Sequence, residues 1–311
     1  MTTVLTPDGV TCCFPDGISI AAVVKTPPDG VIFSYRARVS RSQCARLVRY
    51  IFRTPSPIDL LMPTLDDVRW TFCLADIEST GNAQRVRAFL RDVVEPALAA
   101  LDADIERWAN ETEGGAPFAH QDAKELLRST TEAFCLAIHS LFERQIRRWL
   151  AGCVYALAHS KERIERAQGG NLNAMNVLLN EVRGVPLNAF DSYADLQRLQ
   201  LLANACRHGD GDSAARLYKR HPELWPDWPP LPIMLPGQTE PYVYTGPPTF
   251  DRIVVPRQWL RDFVDAVAWF WEDVEVIHCN SLPRPHTGAD HRLAVLHQAR
   301  AGRRKTELHT T

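Results

Sequence analysis

The sequence has few lysines and little net charge. Of its 35 basic residues only five are lysines, and the rest are arginines; 37 acidic residues leave a formal charge of −2 at pH 7. This balance argues against a protein that coats nucleic acid by bulk charge. The arginine excess suits phosphate recognition, because a planar guanidinium can donate two parallel hydrogen bonds to a phosphate and a lysine ammonium cannot. Genome composition is the alternative explanation.

Patterns that define other classes of protein are also missing. The eight cysteines form no CxxC pair and no regular spacing, so no zinc site or disulfide framework is indicated and we expect free thiols without a disulfide partner. No leader-like segment or run of about 18 apolar residues is present, so we expect a cytoplasmic protein with no membrane partner. Nucleotide-loop, GxGxxG, GxSxG and HExxH motifs are absent as well, and we expect no cofactor and no metal.

Turn signals dominate the start of the chain. Three Pro-Asp-Gly triplets lie within the first 30 residues. They suit tight turns, because proline fixes φ at the first turn position and glycine accepts the positive φ of the last. The runs between them, residues 10–14, 18–24 and 31–39, are rich in β-branched and aromatic residues. They predict a small antiparallel β-meander, which must pack on something else to be stable.

From residue 42 the apolar spacing is helical. It predicts a long helix that Pro96 kinks, a second long helix, and three shorter ones, over residues 82–110, 121–168, 171–182, 193–208 and 257–274. Nine prolines forbid a regular helix over residues 222–248, where Trp225 and Trp228 indicate an excursion that packs down. The end of the chain looks like a loosely ordered basic tail.

The sequence therefore predicts a mainly α protein with a helical bundle behind a small N-terminal antiparallel β-meander. We divide it into a meander plus Arg-rich helix, a helical connector, a bundle with the proline-rich excursion, and a basic tail, at residues 1–60, 61–115, 116–275 and 276–311.

Polar stripes interrupt two of the predicted helices. His139, Glu143 and Arg147 recur every four residues on the second long helix, so they line one face. A second stripe on the helix over residues 193–208 includes Asn204 and ends at His208. There Gly209 stops the helix, and the helix dipole favours a protonated imidazole. Each stripe is either a solvated face or one wall of a site that holds a phosphate or a dimer partner.

Two segments carry a family resemblance, LQLLANACRHGDGDS at residues 199–213 and AFCLAIHSLFERQIRRWL at residues 133–150. They resemble the HEPN superfamily of helical-bundle proteins, many of which are metal-independent endoribonucleases. In that family a long helix carrying a Glu, here Glu143, packs against a later helix that ends in an Asn and a His, here Asn204 and His208. The resemblance covers about residues 120–275 and implies a homodimer that brings two such His motifs together.

The sequence departs from this family at its catalytic Arg. The family places an Arg four to six residues before the His, and here those positions hold Leu201, Leu202 and Ala203. We expect Arg207, or Arg198 on the same helix, to replace it. The implied chemistry transfers an RNA 2′-OH onto the adjacent phosphate, with a histidine as general base or acid and an arginine stabilising the phosphoryl oxygens.

An acid-free run of six arginines spans residues 36–53. Arg46, Arg49 and Arg53 share one helical face, which suits an RNA phosphate backbone or an acidic protein partner. Pairing with acids elsewhere is an equal alternative, with Asp66, Asp67 and Asp76 as the candidates.

The leading hypothesis is a HEPN-like RNA-binding protein that also cleaves RNA without a metal, as in bacterial toxin–antitoxin or phage-defence systems. The alternative is a catalytically inactive helical module for dimerisation or partner binding, which the missing Arg favours. A further alternative is an unrelated helical protein in which both stripes are solvated surface.

Overall fold

A computed structural model describes residues 64–282 and 287–307, apart from residues 113, 235, 238 and 245, and the backbone of two N-terminal strands. The chain divides into two compact units, Met1–Pro63 and Thr64–Thr311.

In the N-terminal unit, strands β1 (Ile18–Val23) and β2 (Ser34–Val39) form an antiparallel pair. Ile18 lies opposite Val39, and Val23 lies opposite Ser34. The first predicted strand, at residues 10–14, lies outside the described residues, so the three-stranded meander stays a prediction. The predicted RNA-binding residues Arg46, Arg49 and Arg53 also lie outside them.

The larger unit is mainly helical, as the sequence predicts. Its helices are α1 (Leu74–Ser79), α2 (Asn82–Phe89), α3 (Glu95–Asn110), α4 (Ala116–Leu157), α5 (Lys161–Gly169), α6 (Leu172–Arg183), α7 (Tyr193–His208), α8 (Asp212–Arg220), α9 (Arg257–Asn280) and α10 (Thr287–Glu307).

Helix α4 is the longest of these, with 42 residues, or about 63 Å at the usual rise per residue. The predicted helix over residues 121–168 is in fact two helices, because α4 ends at Leu157, His159 takes a left-handed φ of 46°, and α5 covers Lys161–Gly169. Ser160 is the N-cap of α5, and its hydroxyl accepts a hydrogen bond from the Arg163 N–H at 3.3 Å.

A widened turn joins α2 to α3. Residues Leu90–Val94 form a π-helical segment immediately before Pro96, which lies in the first turn of α3. Proline has no N–H to bond the carbonyl four residues earlier, and a π-bulge is one way in which a helix absorbs that loss. The sequence therefore predicts both the helix and the position of its irregularity.

Helix α9 runs through the core. Its Phe263, Val267, Phe270 and Trp271 are all buried, and the Phe270 ring packs edge-on against Phe142 of α4, with 5.5 Å between ring centres. The predicted aromatic face is confirmed, and α9 extends six residues further than predicted, to Asn280.

The predicted loose tail is wrong for residues 287–307, which form α10. Arg303 pairs with Glu272 and lies 3.1 Å from Asp273, both buried on α9. Arg300 is 5% exposed and donates to Asp66 at 2.6 Å. The Arg303 pairs hold α10 on α9, and the Arg300 pair ties it to the segment before α1, so these two arginines serve the fold.

The proline-rich excursion packs down, as predicted. Trp225 is buried, and its indole N–H donates to the Thr249 carbonyl at 3.0 Å. An isolated antiparallel bridge between Ile233 and Tyr242 folds the excursion back on itself.

The cysteines that the structure describes are all free. They are Cys73, Cys135, Cys153, Cys206 and Cys279, and the first three are buried.

Candidate functional site

The two polar stripes lie on neighbouring helices, because α4 packs against α7. The charge of Arg207, at the end of α7, acts on His139 of α4. Arg207 therefore lies within electrostatic range of the α4 stripe, and we call the region formed by the two stripes the α4–α7 seam: His139, Glu143 and Arg147 on α4, with Asn204, Arg207 and His208 on α7.

His139 is the least exposed member of the seam. It is 6% exposed, and its buried Nδ1 has no hydrogen-bond partner among the residues that the structure describes. Burial lowers its pKa, and the charges of Arg207 and Arg147 lower it further, while the Glu143 carboxylate opposes them. The imidazole is therefore neutral at pH 7, and its unsatisfied nitrogen is a group that a ligand or water can bind.

Glu143 and Arg147 form an ion pair one helical turn apart, with 2.7 Å between Oε1 and Nη2. Arg147 also donates to the carbonyls of Gln168, at 2.6 Å, and Gly170, at 3.1 Å. These carbonyls end α5, so Arg147 acts as a C-terminal cap. Glu143 thus orients a structural arginine, and about a quarter of its side chain remains exposed.

The end of α7 is open. Arg207 and His208 are exposed, and Asn204 is half-buried. Within the described part of the chain, the side chain of neither Arg207 nor His208 makes a hydrogen bond or an ion pair. Gly209 stops the helix with φ 64° and ψ −137°, a conformation that favours glycine. Among the described residues, the end of α7 therefore presents a cation and an imidazole without side-chain partners, and the cation acts on the buried His139.

A second acid, Glu132, lies two turns before His139 on α4. Glu132 accepts a hydrogen bond from Arg128 at 2.9 Å, yet burial raises its pKa and the Arg128 charge only partly opposes this. Burial also raises the pKa of Cys206, on the facing helix α7, to about 12. A thiol with such a pKa is protonated at neutral pH, so Cys206 is not a nucleophile here.

Arg198 belongs to a different environment. Its guanidinium lies 2.7 Å from Asp195 and 3.8 Å from Asp262, and it stacks over the Trp259 ring, 4.6 Å from its centre. It is ten residues before His208, about 15 Å along the helix. Arg198 is therefore already paired, and Arg207 is the member of the predicted pair that the seam leaves free.

The structure also contains a buried ionic cluster that the sequence patterns did not predict. Asp76 pairs with Arg183, and both side chains are 1% exposed. Asp76 also accepts from the Trp149 indole at 2.9 Å, while Arg183 donates to the Thr71 carbonyl at 2.9 Å and stacks 4.3 Å over the Trp70 ring. The one signal in the sequence was a lone acid within an apolar segment. Asp76 and Asp66, which the sequence offered as partners for the arginine run at residues 36–53, pair instead with arginines of the larger unit.

Other kinds of site find no support among the described residues. No group of three or more His, Cys, Asp or Glu side chains there is arranged to hold a metal ion. None of the helices in that part of the chain combines the length and the apolar character needed to cross a bilayer.

No protein-family model, curated protein or solved structure matches this chain.

Proposed function

We propose that the α4–α7 seam binds single-stranded RNA and cleaves it without a metal, in the manner of the HEPN-like proteins that the sequence resembles. The observation that carries the proposal is that Arg207, whose side chain has no partner among the described residues, acts electrostatically on His139, a buried imidazole whose Nδ1 has no hydrogen-bond partner there either.

The binding step uses the free cation. Arg207 is exposed, and a guanidinium donates two parallel N–H bonds to a phosphate. His139 is neutral in the seam because burial lowers its pKa, so it offers a hydrogen bond without repelling Arg207. Asn204, one turn before His208, adds an amide for a base or a ribose hydroxyl.

The cleavage step uses His208. As general base it takes the proton of a ribose 2′-OH, and the 2′ oxygen attacks the adjacent phosphorus while the bond to the 5′ oxygen breaks. The products are a 2′,3′-cyclic phosphate and a 5′-OH, whose proton comes from a general acid. In a two-fold homodimer the acid is a second His208 from the partner chain. Arg207 stabilises the charge on the phosphoryl oxygens.

A catalytically inactive module for dimerisation or partner binding is the second candidate. It is favoured by the absence of an Arg at Leu201, Leu202 and Ala203, and by Glu143 serving the structural cap Arg147.

A cleavage and binding assay separates the two. A 5′-labelled single-stranded RNA is incubated with the full chain, with and without EDTA, and its fluorescence anisotropy and fragments are both measured. We expect EDTA-resistant cleavage that His208→Ala abolishes, with binding retained. His297→Ala, which removes an exposed histidine of α10, is the matched control and should leave cleavage unchanged.

The remaining outcomes are also decisive. Binding that depends on Arg207 without any cleavage supports the inactive module. RNA that neither binds nor is cut removes both the enzyme and the RNA-binding interpretation.

A further inference from the structure

A groove of about 630 Å³ runs between the α1–α2 turn and a face of α4. Leu141, Arg144 and Arg148 of α4 form one wall, and Arg85 of α2 lies on the other. At 100° per residue, Arg144 and Arg148 lie about 100° around α4 from Glu143 and Arg147. The groove is therefore a separate surface from the α4–α7 seam.

The groove carries unbalanced positive charge. Arg85 donates to the Asn82 amide oxygen at 2.7 Å, and Arg144 donates to the Ser140 carbonyl at 3.2 Å. In the part of the chain that the structure describes, neither pairs with a carboxylate. Arg148 lies 3.4 Å from Glu78, in a pair whose side chains are 82% and 62% exposed, and such a pair is easily exchanged for another anion.

The start of α2 adds to this charge. Gly81 precedes α2 and supplies no side-chain cap, so the first N–H groups of α2 keep their partial positive charge. The Arg85 guanidinium folds back beside Gly81: a Cβ on that glycine would lie 3.1 Å from Nη2. A helix N-terminus and an arginine without an acid thus occupy the same end of the groove.

The rest of the groove suits a small organic group. Ala75 and Leu141 supply apolar surface, and the buried Trp149 lies behind them. Gln145 accepts from the Trp271 indole at 2.8 Å through Oε1, which leaves its amide N–H groups as donors. The volume lies within the usual range for small-molecule sites.

From this arrangement we infer that the groove binds a phosphomonoester of mononucleotide size. Arg85 and Arg144 hold the phosphate dianion from the two walls, and the apolar surface of Leu141 holds the remainder of the ligand. Glu78 opposes binding by competing for Arg148. The inference does not depend on RNA binding at the seam.

Titration calorimetry of the full chain tests this, with AMP, adenosine and inorganic phosphate as probes. We expect AMP to bind, adenosine to bind at least tenfold more weakly, and inorganic phosphate to compete with AMP at higher concentration. Phosphate that binds as tightly as AMP would overturn the assignment of a nucleotide-sized ligand. Equal binding of adenosine and AMP would overturn the phosphate site.

Variants locate the site. Arg85→Gln and Arg144→Gln should each weaken AMP binding about tenfold, and Glu78→Gln should strengthen it severalfold. Arg91→Gln is the matched control, since Arg91 is exposed and pairs with Asp92 outside the groove, and His208→Ala should likewise leave AMP binding unchanged. Circular dichroism checks the fold, and Glu78→Gln gives a gain that misfolding cannot mimic. AMP affinity unaffected by either arginine variant, or no AMP binding at millimolar concentration, would refute the inference.

Discussion

The buried pair of Asp76 and Arg183 makes the sharpest prediction about stability. In Asp76→Asn the shape is kept, and the new amide oxygen still accepts from the Trp149 indole. Its NH₂ group, however, replaces a carboxylate that faces Arg183, whose side chain is 1% exposed. Of the partners that the structure describes, the guanidinium keeps the Thr71 carbonyl and the Trp70 ring. Removing one member of such a pair costs about 3–5 kcal/mol of unfolding free energy.

The double variant Asp76→Leu with Arg183→Met is the internal comparison. It removes both charges and keeps similar volumes, so it should be closer in stability to the wild type than the single variant is, because no charge is stranded. Urea unfolding at pH 7, followed by tryptophan fluorescence and far-ultraviolet circular dichroism, measures both. A single variant that loses less than about 1 kcal/mol, or a double variant no better than the single one, would refute this reasoning.

Three further predictions concern the same unit. Burial lowers the pKa of His139, so the unfolded chain binds its proton more readily and stability falls as the pH drops below about 6.5. His139→Phe should therefore reduce the change in urea midpoint between about pH 7 and pH 5, and a pH dependence equal to that of the wild type would contradict this. Arg303→Ala removes one of the two arginines that pair with the buried Glu272, while Arg87 stays paired with it, and should lower the free energy of urea unfolding by about 1.5–3 kcal/mol. Gly209→Ala should lower the free energy of unfolding by about 1–3 kcal/mol. Gly184→Ala should lower it less, because Gly184 adopts φ 72° and ψ 9°, in the left-handed helical region, whereas Gly209 has φ 64° and ψ −137°. Equal losses would contradict the assigned backbone conformation.

Local signals predicted the helices whose ends are set by nearby residues. Helix α7 begins at Tyr193 and ends at His208 as expected, because Gly209 supplies a stop that the sequence displays. The end of α4 is different, because no glycine or proline marks the left-handed His159. The apolar periodicity therefore predicted one continuous helix where the chain forms α4 and α5. Tertiary packing, which is invisible in a local window, decides such a break.

The ionic contacts of the larger unit show the same limit. Asp76 and Arg183 are 107 residues apart in the chain, and Arg300 and Asp66 are 234 apart. The arginines at the end of the chain led us to predict a loose tail. The acids that pair with those arginines belong to other elements, so the local sequence does not reveal the pairing. The polar stripes of the seam were visible as periodicity, but the burial of His139 depends on which helix covers it.

We propose that RNA binds at the α4–α7 seam. Ultraviolet crosslinking of a photoreactive single-stranded RNA, followed by mass spectrometry of the digested full chain, tests it most directly. We predict crosslinks in the peptides that contain His139 to Arg147 and Asn204 to His208, and their loss in Arg207→Ala but not in Arg91→Ala. Crosslinks confined to other parts of the chain, or a pattern that Arg207→Ala leaves unchanged, would contradict it.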